Sequence, residues 1–186
     1  MNTSTFHLAL VSLFAALIAV FGLIPKIDLP LGVPITLQTL GVMLAGCLLG
    51  PKRGLQALLL FLAAVALGLP LLSGGRGGVG VFFAPATGYL LGWPIGAFIT
   101  GLAMSLLSSS TPRRAAVSAF VASALGGLLM VHVCGVVGLV YIANLTWEQA
   151  VMGTLVFVPG DLIKCALTAT VVHTVARGLP DWRLGG

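Results

Sequence analysis

Apolar runs follow one another along this chain from Phe6 to Ala176, and almost every charged residue falls in a gap between two of them. Such a pattern leaves few options for folding. Within hydrocarbon, every backbone N–H and C=O must bond inside the structure, so only helices or closed barrels can cross a bilayer. A spanning helix needs roughly 17–25 mostly apolar residues, whereas a barrel strand needs about 9–11. The runs here have helix length. Charged residues are only 7% of the chain, against about 25% in a soluble domain, too few to cover a globular surface. The expected fold class is therefore all-α. Residues 1–186 form a single polytopic membrane domain with six transmembrane helices, over 6–24, 35–50, 54–72, 87–107, 115–143 and 151–176.

Several features refine these spans. The first run has no Lys or Arg before its apolar core and is followed at once by further spans, so it reads as a helix rather than a signal peptide. The "PKR" at Pro51–Arg53 separates the second span from the third, and Pro94 predicts a kink in the fourth. The fifth is long enough to tilt or protrude. No internal repeat is visible.

The chain carries a net charge of +5 with a pI near 9.6. In a soluble protein that balance would suggest nucleic acid, but no basic stripe with interleaved aromatics is present, so no nucleic-acid partner is expected. The basic residues report topology instead. Six spans place Lys52, Arg53, Arg113, Arg114, Arg177 and Arg183 on one side, and only Lys26 and Arg76 in the loops of the other. The positive-inside rule puts both termini in the cytoplasm. The expected location is a prokaryotic cell (inner) membrane, with the lipid bilayer as the chain's surroundings.

Cys47, Cys134 and Cys165 all lie in apolar runs without a C-x-x-C pair, and predict neither disulfides nor a metal site. His7, His132 and His173 stand apart from any acid or thiol at ligand spacing and read as packing histidines. There is no nucleophile, phosphate-binding or metallohydrolase motif. The chain is read as a non-enzyme with no catalytic residues, cofactor or metal.

One stretch stands out: "FVPGDLIKCALT", Phe157–Thr168, puts Asp161 and Lys164 inside the sixth apolar run. An ionised side chain at mid-span costs about 2.5–3.5 kcal/mol on insertion scales, so both should face protein or a polar cavity. At i and i+3 they share a helix face, which Thr168 extends. They form either a structural ion pair or a site for a ligand with N–H donors and acceptor oxygens. Pro159-Gly160 weakens the helix just before them, a recurring device at transporter ligand cavities. Asp161 is the only acid within a predicted span, whereas a proton or ion pathway would call for more than one.

Further polar groups lie toward the outer side. "PITLQT" (Pro34–Thr39) brings Thr36, Gln38 and Thr39, either as capping and interhelical contacts or as ligand contacts. "PKIDLPLGVP" (Pro25–Pro34) is stiffened by three prolines. "SGGRGGVGVFFAPA" (Ser73–Ala86) joins five glycines to two phenylalanines, a composition that suits a lid over an outward pocket. Tyr89 follows that loop.

Three segments, "GVPITLQTLGVMLAGCLLGPKRG" (Gly32–Gly54), "GGRGGVGVFFAPATGYLLG" (Gly74–Gly92) and "FVPGDLIK", occur in this order and resemble the BioY family over almost the whole chain. Those proteins are biotin-specific S components, the substrate-binding subunits of energy-coupling factor (ECF) vitamin transporters. The resemblance implies a six-helix, ECF S-component-like bundle that binds biotin near its outer side, under the loops after helices 1 and 3. Asp161 and Lys164 match the family's acid-base pair and carry over as ligand contacts, with either polar end of biotin open to each. Thr36, Gln38, Gly75, Gly80 and Tyr89 match motif positions and join the substrate-binding set. Ala84 and Ala86 stand where the family commonly has Gly and Thr, so no hydroxyl contact is assigned there. The resemblance also implies an ECF transmembrane coupling subunit and separate ATP-binding subunits as partners. Ala15 and Ala19 match the small-residue spacing of the family's docking face on helix 1. The alternatives are an S component or secondary transporter for another small vitamin-like compound, or a proton or ion pathway through Asp161.

Overall fold

Regular structure among the described residues is helical, apart from two isolated antiparallel bridges in loops. The computed structural model describes residues 3–29, 32–107, 109–182 and 184. Arg183, counted above for orientation, lies outside them.

Helix α1 (Thr3–Gly22) buries Val11, Phe14 and Ile18 and turns Leu8, Leu13 and Val20 outward. Ala15 and Ala19 are half-buried at the edge of the packed face, while Ser12 and Ala16 are exposed beside them. α2 (Gln38–Ala66) cannot be straight. Its 29 residues would extend about 43 Å at 1.5 Å each. Yet the Gln38 side chain bonds the Leu71 carbonyl and the Ser73 N–H, each at 3.1 Å. A Cβ on Gly54 would sit 3.2 Å from the Ala45 carbonyl oxygen. The chain doubles back at Gly50, whose φ of +81° suits glycine alone. Pro51 opens the returning half, where a missing N–H is harmless.

The second and third spans are therefore the two arms of this hairpin, 38–49 and 51–66. The "PKR" segment is the first turn of the second arm and not a loop, and the loop shrinks to Gly50. The third span ends at Ala66 and not at Leu72, since Gly68 at φ +100° closes the helix in the left-handed region.

α3 (Thr87–Leu106) runs on through Pro94. α4 (Pro112–Ser123) begins with Thr111 accepting from Arg114 N at 3.2 Å. It passes through a wider π-helical segment, Ala124–Met130, into α5 (Val131–Ile142), giving one 31-residue span. α6 (Trp147–Leu155) starts in a capping box between Thr146 and Gln149. α7 (Val158–Gly178) follows after a 49° bend. The sixth expected span is thus broken, two residues before Pro159. Among the described residues, four helices are long and apolar enough to cross a membrane; the bent α6–α7 pair, taken as one span, makes five, and the division of α2 makes six.

Small residues set the closest approach. Gly88, Gly92 and Gly96 face α5 and the π-helical segment, and a Cβ on Gly138 would lie 2.5 Å from the Gly88 Cα. In lipid, where tails are as apolar as side chains, such close van der Waals fit drives helix association.

Candidate ligand pocket

The bend before α7 places Asp161 in that helix's first turn, where the helix dipole favours a negative charge. Asp161 and Lys164 are 3% and 7% exposed. Lys164 Nζ donates to Asp161 Oδ1 at 2.7 Å and to Thr39 Oγ1 at 2.8 Å. Thr39 Oγ1 donates onward to Asp161 Oδ1 at 3.2 Å. His132 Nε2 donates to the other oxygen, Oδ2, at 2.9 Å. Residues from α2, α5 and α7 thus converge on one carboxylate. The ammonium has three N–H donors, and two of them are engaged.

Aromatic rings form the adjoining wall. Tyr89 OH lies 2.6 Å from Thr154 Oγ1, which gives its own proton to the Ala150 carbonyl at 2.8 Å, so Tyr89 is the donor. Its ring stands edge-on to His132 and tilted against Phe157, with centroids 6.1 and 5.7 Å away. Gly135 makes room for it, since a Cβ there would lie 2.3 Å from the ring. Trp93 packs beside Phe61 and presents a buried indole N–H that has no hydrogen-bond partner among the described residues.

Two loops cover one end of the cavity. One is pinned by the Ile27–Ile35 bridge and lends Val33, Pro34, Ile35 and Thr36 to the cavity lining. The other is pinned by the Leu72–Arg76 bridge and lends Arg76. They meet where Gly74 packs on the Lys26 side chain, which is itself paired with Asp28. Arg76 is half-buried, with Nε donating to the Ser73 carbonyl at 3.3 Å.

Asp161, Lys164, Tyr89, Gln38 and Thr36 all line this cavity. The Gln38 amide, however, is occupied by backbone: it donates to the carbonyls of Ile18 and Leu71 and accepts from Ser73 N. It ties α1 and the 67–78 connection to the start of α2. Thr36 Oγ1 accepts from Gln38 N at 3.3 Å. Gly75 and Gly80 are not themselves lining residues: Gly75, next to Arg76, supplies a φ of +68° in the loop turn, and Gly80 belongs to a short 3-10 helix, Val79–Phe83. Sequence reasoning missed His132 and Trp93 as lining groups and used Arg76 only for topology. A cation amid five glycines was the available signal for Arg76; the other two had none beyond a polar atom within an apolar run. No group of three metal-ligating side chains occurs among the described residues.

A six-helix membrane bundle with a buried polar cluster and an aromatic wall beneath two packed loops is the architecture of a membrane-embedded binder of small molecules. The BioY family model matches residues 1–181, and the chain belongs to the BioY family. It is 43% identical over 180 residues to the biotin transporter BioY of Rhizobium etli, covering 95% of this chain and 96% of the relative. With the biotin transporter BioY of Rhodobacter capsulatus it shares 45% identity over 186 residues, covering 94% and 95%. A crystal structure of the S-component for biotin from an ECF-type ABC transporter superposes with a TM-score of 0.85 at 33% identity, covering 95% and 93% of the two chains.

Proposed function

We propose that this chain is the biotin-binding membrane subunit of a biotin uptake transporter. The observation that carries the reading is the Asp161–Lys164–Thr39–His132 network, set against Tyr89, Trp93 and Phe157 in one cavity. Biotin presents two ureido N–H donors and a ureido oxygen at one end, an apolar bicycle, and a carboxylate at the other. Asp161 accepts from one ureido N–H at the position its three donors leave open, and the free Lys164 donor meets the ureido oxygen. The rings cover the apolar body. Arg76, on the outer loop, meets the carboxylate. Asp161, held by three donors, suits a fixed acceptor better than a mobile proton carrier.

Energy comes from other chains. α1 presents its small-residue edge, with Ala15 and Ala19, to a transmembrane coupling subunit that is joined to ATP-binding subunits. Both termini face the cytoplasm. Uptake of labelled biotin by biotin-auxotrophic cells tests the assignment: cells expressing the chain with its coupling partners accumulate biotin, and cells carrying Asp161→Asn do not. Equal accumulation by cells without the chain would refute it. A single cysteine at Arg113 should resist impermeant thiol reagents in intact cells while one at Gly77 reacts; labelling at Arg113 would reverse the orientation.

A further inference from the structure

We infer that His132 is a positioning residue for Asp161 and thereby sets affinity at the ureido end of the pocket, a role that rests on the biotin reading above. His132 is the only His, Lys, Arg, Asp or Glu between Arg114 and Glu148, and it is 8% exposed in α5, whose other buried residues are all apolar. An apolar side chain would pack there without any polar group to satisfy. What the imidazole adds is an N–H donor to Asp161 Oδ2 at 2.9 Å.

The two carboxylate oxygens are held from different sides. Oδ1 takes Lys164 and Thr39, while Oδ2 takes His132. Held through Oδ1 alone, a carboxylate can rotate about its terminal torsion, which is broad and roughly two-fold. A second anchor on Oδ2 fixes its plane, and with it the direction of the acceptor position left for a ligand. The anchor is itself held by packing: the ring forms a three-ring cluster with Tyr89 and Phe157, whose centroids are each 6.1 Å from that of His132 and 5.7 Å from one another. Tyr89 is fixed in turn by Thr154. His132 thus passes the order of the aromatic wall to the charged end of the site, the kind of support on which preorganised binding depends.

The test compares His132→Phe, His132→Leu and His132→Gln in the purified full-length chain, using equilibrium binding of labelled biotin and melting temperature. Phe keeps a ring against Tyr89 and Phe157 without a donor, and Leu tolerates tighter surroundings should Phe fail to fold. Gln carries its N–H as many bonds from Cα as histidine Nε2. The donor-less variants are expected to bind about tenfold more weakly or worse, as loss of a hydrogen bond to a charged group implies. Gln should return to within about threefold of the native chain, a smaller loss than that hydrogen bond is worth. Native affinity in folded His132→Phe or His132→Leu would overturn the inference. So would equal weakening in all three variants, which would mark a packing role. A native chain that binds no biotin would instead remove the underlying reading, and this one with it.

Discussion

Replacing Gly135 with alanine tests how tightly the aromatic wall is built. An added Cβ would lie 2.3 Å from both Cε1 and Cζ of Tyr89 and 2.6 Å from Cδ1. Carbon atoms pack at about 3.5–4.0 Å, so ring and methyl must separate by more than 1 Å. The helices cannot easily part, because Gly88 and Gly138 already hold α3 and α5 at backbone contact. The ring must therefore move, stretching its 2.6 Å bond to Thr154 beyond hydrogen-bond range. Overpacking costs about 1–3 kcal/mol, and the lost hydrogen bond adds about 0.5–1.5 kcal/mol. The combined penalty of about 1.5–4.5 kcal/mol is divided between folding and ligand binding. Whatever share falls on binding lowers biotin affinity, a factor of ten for each ~1.4 kcal/mol, and the remainder lowers the melting temperature. Gly178→Ala is the control, as no atom lies within 4 Å of its added Cβ. Binding calorimetry and thermal unfolding on both variants supply the comparison. Native affinity together with a native melting temperature in Gly135→Ala would refute the claim that Tyr89 is locked in place by helix packing.

Other outcomes follow from the site and the surfaces. Asp161→Asn and Lys164→Met should each weaken biotin binding by at least about 1.5 kcal/mol, or about tenfold; native affinity in both folded variants would leave only a structural ion pair. The loop 73–83 should gain hydrogen-exchange protection at saturating biotin, because the ligand beneath it restrains its glycines; unchanged protection would make it an ordinary connection. Ala15→Trp with Ala19→Trp should abolish co-purification of the coupling subunit through steric bulk at a close-packed face, while biotin affinity stays within a few-fold. Retained partners and ATP-driven uptake would place the docking surface elsewhere.

The helical class could be read directly, because a chain with so few charges has almost no other way to satisfy its backbone in lipid. Asp161 and Lys164 were readable as a pair because i and i+3 share a helix face whatever the tertiary fold. Their remaining partners were not: Thr39 is 122 residues from Asp161 in the chain and His132 is 29. One histidine in an apolar span gives no hint of what faces it. The hairpin in α2 was misplaced for a local reason. Charges usually mark a loop, and Lys52 and Arg53 did mark the right turn, but a positive-φ glycine followed by proline needs only one residue to reverse the chain. Gly75 and Gly80 were drawn into the site by motif, whereas the structure uses Gly75 to shape the loop turn and sets Gly80 in the short helix beside it. Gln38 touches the cavity, yet its amide is spent on three backbone groups that only the folded chain brings together.

Equilibrium binding of radiolabelled biotin to the purified chain, free of any coupling or ATP-binding subunit, tests the central claim most directly. Saturable binding with one biotin per chain is expected, displaced by unlabelled biotin and sharply weakened in Asp161→Asn. Failure of the folded native chain to bind biotin, or binding that Asp161→Asn leaves unchanged, would contradict a biotin site built on the α7 carboxylate.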